Sequence, residues 1–145
     1  MTEQHGRDEV RLRLEHVAIA VENLETACEE YSRLLGISAS SIEEVESERV
    51  RLAFFELDGC RLELLEGTGD DSPIRKFLAS GRRGVHHLAF TVDGEEIDAT
   101  LDRLRAAGVP LLDDAPRTGA EESKVVFVHP RAASGVLTEF TKKAK

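Results

Sequence analysis

Two stretches of the chain read alike: LEHVAIAV at 14–21 and VHHLAFTV at 85–92. Aligned without gaps, Leu14 falls on Val85, His16 on His87, Ala18 on Ala89 and Val21 on Val92. Their ends match too, because GCRLELLE at 59–66 sets Gly59 on Gly135 and Glu63 on Glu139 of GVLTEFTK at 135–142. A repeat of this kind outranks any local pattern, since each copy must fold as the same unit and bury its apolar face against a neighbour. The length of 145 residues, 41% hydrophobic and 32% charged, suits one soluble globular domain built from two half-size modules.

The pattern within each copy is βαβββ. Residues 12–21 alternate in strand fashion, with Leu12, Leu14 and His16 on one face and Val17, Ile19 and Val21 on the other. Asn23 is an N-cap for a helix carrying Leu24, Ala27, Tyr31, Leu34 and Leu35, which Gly36 ends. Strands are expected at 41–46, 49–57 and 60–66, the last two joined by the hairpin signal Asp58-Gly59. The second copy predicts a strand at 84–92 and a helix at 94–107 that buries Ile97, Leu101 and Leu104 and stops at Gly108. Strands follow near 110–113, 123–129 and 135–142. Between the copies, Ser72 and Pro73 read as N-cap and first residue of a short helix over 72–81. The expectation is a single α+β domain over 10–145, with modules at 12–66 and 84–142 and a metal site between curved sheets. Residues 1–8 and 142–145 are expected as frayed ends.

Each module offers one histidine on its first strand and one glutamate on its last. A lone strand histidine is more often a core residue with its hydrogen bonds met, and a lone strand glutamate usually faces solvent. Four such residues in register across a repeat are another matter, because chance would have to act twice. His16, Glu63, His87 and Glu139 are therefore the candidate ligands of a divalent first-row metal: Zn, Co, Mn, Ni or Fe. His86 is set aside because strand alternation turns it to the opposite face. His5 lies in the polar start, and His129 before Pro130 closes a strand or faces the ligand.

The formal charge of -9 argues against a nucleic-acid partner, whose phosphates call for a basic surface. No apolar run approaches the roughly 20 residues that span a bilayer, and MTEQHGRDEVR has no apolar signal segment. Cys28 and Cys60 are isolated and read as reduced, small hydrophobes, which points to the cytoplasm.

The chain resembles the vicinal oxygen chelate (glyoxalase/bleomycin resistance/dioxygenase) superfamily over almost all of residues 12–141. Within it, the chain is similar to the methylmalonyl-CoA epimerases. LEHVAIAVENLETA resembles the superfamily's opening strand and helix; DSPIRKFL at 71–78 with GVHHLAF at 84–90, and FVHPRAASGVLTEF at 127–140, resemble the epimerases in particular. The resemblance implies paired βαβββ modules and a metal held by His16, Glu63, His87 and Glu139, with cobalt, zinc, manganese or nickel as the ion. It implies an isomerase that removes the proton between a thioester and a carboxylate, and an acyl-CoA substrate bound by a homodimer. Glu139 would be ligand and base on one side. On the other, Glu48 is the first choice of base and Glu46 the second. Lys76, Arg83 and Lys124, with Arg75 and Arg82 close by in sequence, are the cations for the CoA phosphates.

Two stretches depart from the epimerase pattern. Where epimerases read E-E-V-P-E-Q-G-V, this chain has EEVESERV at 43–50, so the family glutamate falls on Ser47 and its glycine on Arg49. Where they read G-A-G-G, this chain has GAEE, with Glu121 and Glu122 in place of two glycines. The rival readings are a glyoxalase I-like lyase acting on glutathione hemithioacetals and a metal-free binding member of the fold. The unrepeated DSPIRKFL and HPRAASGVL stretches favour the epimerase over the first, and four retained ligands argue against the second. The same fourth ligand, Glu63, argues against the two-His-one-carboxylate extradiol dioxygenases.

Overall fold

A computed structural model describes residues 11–144; the expected frayed start at 1–8, with His5, lies outside the described residues, as does Lys145. In chain order the elements are β1 (Arg11–Ala20), α1 (Leu24–Leu35), β2 (Glu43–Val45), β3 (Val50–Glu56), β4 (Arg61–Gly67) and α2 (Pro73–Ala79). Then come β5 (Gly84–Asp93), α3 (Ile97–Ala106), β6 (Arg117–Thr118), β7 (Lys124–Val128) and β8 (Leu137–Lys142). The order βαβββ recurs, with α2 between the copies. The described residues form two compact units, one of His16–Leu88 and one of 11–15 with 89–144, so the divisions fall inside β1 and β5.

In the unit His16–Leu88 the strands lie in the order β2-β3-β4-β1. The first three are antiparallel neighbours, while β1 runs parallel to β4 with Ala18 opposite Glu63. The β3–β4 hairpin closes with the Leu57 N–H on the Cys60 carbonyl at 2.9 Å, and Gly59 sits at φ 91°, a conformation that disfavours any side chain. Asn23 caps α1 by accepting the Thr26 N–H at 2.8 Å, and Gly36 ends it in the left-handed region. Ser72 does the same for α2 by accepting from Ile74 at 3.2 Å.

Strand alternation gives this sheet two unlike faces. Ala53, Phe55 and Leu64 pack with Leu24 and Ala27 of α1, with Ile19, Cys28, Tyr31 and Leu62 around them. On the opposite face, Phe54 pairs with Glu63, and His16 pairs with Arg61. All four are nevertheless buried. One face therefore packs on α1, and the other carries buried polar groups among further buried apolar side chains, Ala18, Leu52 and Leu65. Leu34 and Leu35, expected on the buried side of α1, are instead 76% and 41% exposed. The α1 contribution to the cluster ends at Tyr31, so the last helical turn adds nothing to it. Leu12 is likewise exposed rather than sharing a buried face with His16.

Strand β4 and helix α2 approach closely at Gly67. A methyl group on Gly67 would lie 2.4 Å from Ser72 Oγ, 2.7 Å from Arg75 Cγ and 3.0 Å from the Arg75 backbone nitrogen. Gly67→Ala should therefore push α2 off the sheet and cost about 1–3 kcal/mol in thermal or urea unfolding. A variant as stable as the parent would show that α2 yields without resistance.

In the second unit the order is β5-β8-β7-β6, the counterpart of β1-β4-β3-β2. Ile97 and Leu101 of α3 pack on Val126, with Leu111 and Phe140 around them. Three expectations need correction here. The second strand of this copy is Arg117–Thr118, not 110–113. Pro110 has no N–H to give a ladder, and Leu111 makes one isolated bridge to Val128. The Asp113 carboxylate then takes the Phe127 N–H at 3.0 Å and the Arg117 guanidinium at 2.6 Å, which ends the pairing. The helix expected from 94 begins at Ile97, because a turn from Val92 to Glu95 intervenes. At the far end β8 includes Lys142, so the chain is in a strand where fraying was expected.

Glu95 anchors that start. It accepts from Thr100 Oγ1 at 2.7 Å and from Arg103 at 3.1 and 3.2 Å. The Arg103 bond lowers its pKa, burial opposes this, and the Thr100 bond adds to the lowering. A lowered folded pKa gives stability that is present above the unfolded Glu value of about 4.3 and is lost as pH falls through the folded value. Glu95→Gln should thus cost on the order of 1 kcal/mol near pH 7. That difference should vanish in strongly acidic solution. An equal deficit at both ends of the pH range would assign the loss to packing instead of charge.

Candidate metal centre

His16 comes from β1, Glu63 from β4 and His87 from β5, each 5% exposed or less. The register explains the first two: Ala18 lies opposite Glu63 on the parallel β1–β4 ladder, so His16, one pleat away, shares its face. His16 Nε2 stands 3.1 Å from Glu63 Oε1 and 3.2 Å from His87 Nε2, and His87 Nε2 stands 3.7 Å from the same Oε1. These three donor atoms close a triangle. Ligand bonds of about 2.1 Å put neighbouring donors about 3.0 Å apart at right angles and about 3.4 Å apart at a tetrahedral angle. The triangle matches that spacing, and two imidazoles with a carboxylate are the donor set of a first-row divalent ion. The residues present fit such an ion.

The surroundings hold these donors in place. The Phe54 ring meets His16 at an angle of 69° with centroids 5.9 Å apart, and the Arg61 guanidinium lies 3.7 Å over the Phe54 centroid. Arg61 is itself only 8% exposed. His87 is held from its other side by His86, whose Nδ1 lies 3.0 Å from His87 Nδ1. Burial above all, then His87 and Arg82, pushes His86 down to about 3, so its ring is neutral near pH 7. His86 was set aside on alternation. Its backbone does take the opposite face, but its ring still reaches its neighbour's outer nitrogen. The doublet His86-His87 was the available signal, and alternation alone hid it.

Glu139 is 6% exposed and lies opposite Phe127 on β7, away from the face where Val126 and Phe140 meet α3. Glu63 has the same setting in its own unit, opposite Phe54 and away from α1. Of the two candidate second bases, Glu48 is half-buried and Glu46 exposed. They belong to a single 3-10 turn, Glu46–Glu48, in place of a continuous strand edge. The turn ends on Arg49 at φ 56°, and the other departing loop places Glu121 and Glu122 at φ 55° and 60°. Side chains therefore stand at three left-handed positions where the epimerase pattern has glycine.

Among the cations, Lys76 and Lys124 are exposed. Arg83 donates to the Leu78 and Arg82 carbonyls and pairs with Glu22 at 3.2 Å; Arg75 donates to the Gly67 carbonyl, and Arg82 covers the Phe77 ring. His129 caps the turn after β7 by accepting the Arg131 N–H at 3.1 Å, a strand-closing role. Cys28 and Cys60 are free thiols.

Residues 15–127 match the family described as the Glyoxalase/Bleomycin resistance protein/Dioxygenase superfamily. The chain is 38% identical over 129 residues to the uncharacterized protein YqjC of Bacillus subtilis, covering 88% of this chain and 89% of the relative. It is also 38% identical over 129 residues to an ethylmalonyl-CoA/methylmalonyl-CoA epimerase of Cereibacter sphaeroides, covering 88% of this chain and 95% of that one. Among solved structures, a variant of Streptomyces coelicolor methylmalonyl-CoA epimerase in complex with 2-nitronate-propionyl-CoA superposes with a TM-score of 0.85. The identity is 37%, over 92% of this chain and 98% of the other.

Proposed function

The chain belongs to the Glyoxalase/Bleomycin resistance protein/Dioxygenase superfamily and, within it, to the methylmalonyl-CoA epimerases; on that premise we propose that it interconverts (R)- and (S)-methylmalonyl-CoA. The reaction removes the proton alpha to the thioester, passes through an enolate and returns a proton to the opposite face. The observation that carries this reading is the convergence of His16 Nε2, Glu63 Oε1 and His87 Nε2 in a buried triangle. A divalent ion bound there supplies Lewis acidity, which lowers the cost of gathering negative charge on carbonyl oxygen.

Glu139 is assigned as the fourth ligand, on its repeat equivalence to Glu63 and its matching setting opposite a phenylalanine. It is also assigned as the base on one face of the planar intermediate. Inversion needs a second proton carrier, and Glu48 takes that role because it is the less exposed of the pair. Cobalt is the ion carried into experiment; zinc, manganese and nickel suit the same donors. Lys76, Arg83 and Lys124 are assigned to the CoA phosphates. We place the protein in the cytoplasm as a homodimer. The two free thiols support the first, as does the lack of any described helix long and apolar enough to cross a membrane. The exposed Leu34, Leu35, Ile37 and Ile42 support the second.

The test is incubation of cobalt-loaded protein with methylmalonyl-CoA in deuterium oxide. Deuterium should appear at C2 at a rate linear in protein, and chelator should stop it. Metal-loaded protein that leaves C2 unlabelled would overturn the reading. Turnover of a glutathione hemithioacetal by the same protein would replace it with the lyase.

A further inference from the structure

We propose that His86 is a positioning residue for the metal centre: its Nδ1, 3.0 Å from Nδ1 of His87, fixes His87 in the tautomer that leaves Nε2 bare. The inference rests on the metal reading above and adds to it a residue outside the ligand set.

His87 faces the other two donors through Nε2. A neutral imidazole has one nitrogen with a free lone pair and one that carries hydrogen. For Nε2 to bind an ion, the hydrogen must sit on Nδ1, and a buried N–H needs an acceptor. His86 Nδ1 is in position to be that acceptor, with its own proton on Nε2. The reverse arrangement, His86 donating to His87 Nδ1, would put the His87 proton on Nε2 and close the site. In the metal-free chain the two contacts then agree: His87 Nε2 accepts, and His16 Nε2–H is shared between it and Glu63.

The His86 ring is held in turn. Phe77 of α2 meets it nearly edge-on, at 78° with centroids 4.9 Å apart, and the Arg82 guanidinium lies 4.6 Å from the Phe77 centroid. Neighbouring strand residues point to opposite faces, so a contact between their rings depends on how His86 is packed. Phe77 supplies that packing. This gives the unrepeated DSPIRKFL helix a part in the metal centre: it fixes the ring that fixes the ligand.

The test uses full-length protein and two substitutions. His86→Phe keeps a ring without an acceptor, and His86→Asn keeps an oxygen acceptor near the position of Nδ1. Zinc affinity, measured by competition with a chromophoric chelator, should fall about ten- to hundredfold in the first and stay within about threefold in the second. Imidazole nitrogen NMR of the metal-free wild type should show the His87 proton on Nδ1. In His86→Phe the two tautomers should mix. The proposal is overturned if wild-type His87 carries its proton on Nε2. It also falls if His86→Asn loses as much affinity as His86→Phe while both melt cooperatively. Wild-type protein that takes up no zinc would sink the metal reading and this role with it, whereas zinc uptake with the His87 proton on Nε2 would sink the role of His86 alone.

Discussion

Replacing His87 with alanine should abolish stoichiometric binding of cobalt or zinc and slow deuterium exchange at C2 roughly a thousandfold. The size follows from what a Lewis acid contributes to an enolate-like transition state, several kcal/mol, at about 1.4 kcal/mol for each factor of ten. Of the triangle, His16 Nε2 and Glu63 Oε1 would remain, 3.1 Å apart, with Glu139 as the other assigned ligand. Without His87 Nε2 the triangle is open, and His16 and Glu63 should pair with one another as an ordinary imidazole–carboxylate contact. Added imidazole, small enough to enter the space left by the side chain, should recover part of the metal uptake. A His87→Ala protein that keeps one tight divalent ion, or that exchanges deuterium at the parent rate, would remove the ground for the proposed chemistry. Melting curves run in parallel separate this from unfolding.

The second large effect concerns the other face of the same sheet. Phe55 is fully buried among Leu24, Ala27, Ala53 and Leu64, with the Tyr31 ring 6.2 Å away. Phe55→Ala removes most of a large side chain from a cluster that cannot close over the gap. The expected loss is about 3–5 kcal/mol. Against a usual total of about 5–15 kcal/mol, that should lower the melting temperature by roughly 10 °C or more. Phe54→Ala, one residue away on the polar face, should have a different signature. It removes the ring between Arg61 and His16, so metal affinity should fall as well as stability. Equal melting losses with equal metal affinity in both variants would show that the two faces are not distinct in this way.

Much of the architecture was legible because repetition is a strong signal. The βαβββ order, the Asn23 and Ser72 caps, the Gly36 stop and the Asp58-Gly59 hairpin all follow from residue chemistry that acts locally. Of the four residues that the repeat singled out, His16, Glu63 and His87 lie together. What could not be read are features set by tertiary context. The displacement of the second strand of the second copy from 110–113 to Arg117–Thr118 depends on Asp113 capturing Arg117 and the Phe127 amide. The turn at 46–48 depends on Arg49 accepting a left-handed backbone that its side chain disfavours. The contact of the His86 ring with His87 was out of reach for a related reason. Alternation fixes where Cβ points but not where a long ring ends.

The two faces of β4 have a consequence for how such a chain can change over generations. Leu62 and Leu64 belong to the helix-packed core, whereas Arg61 and Glu63, the residues between and before them, lie on the face that carries His16. Substitutions on the second set can drift without erasing the instructions for folding, and a descendant lacking His16 and Glu63 would still inherit the sheet. A scaffold divided in this way leaves its catalytic past behind easily. Loss of an activity, or its exchange for simple capture of a small molecule, lies only a few replacements away along one side of a strand.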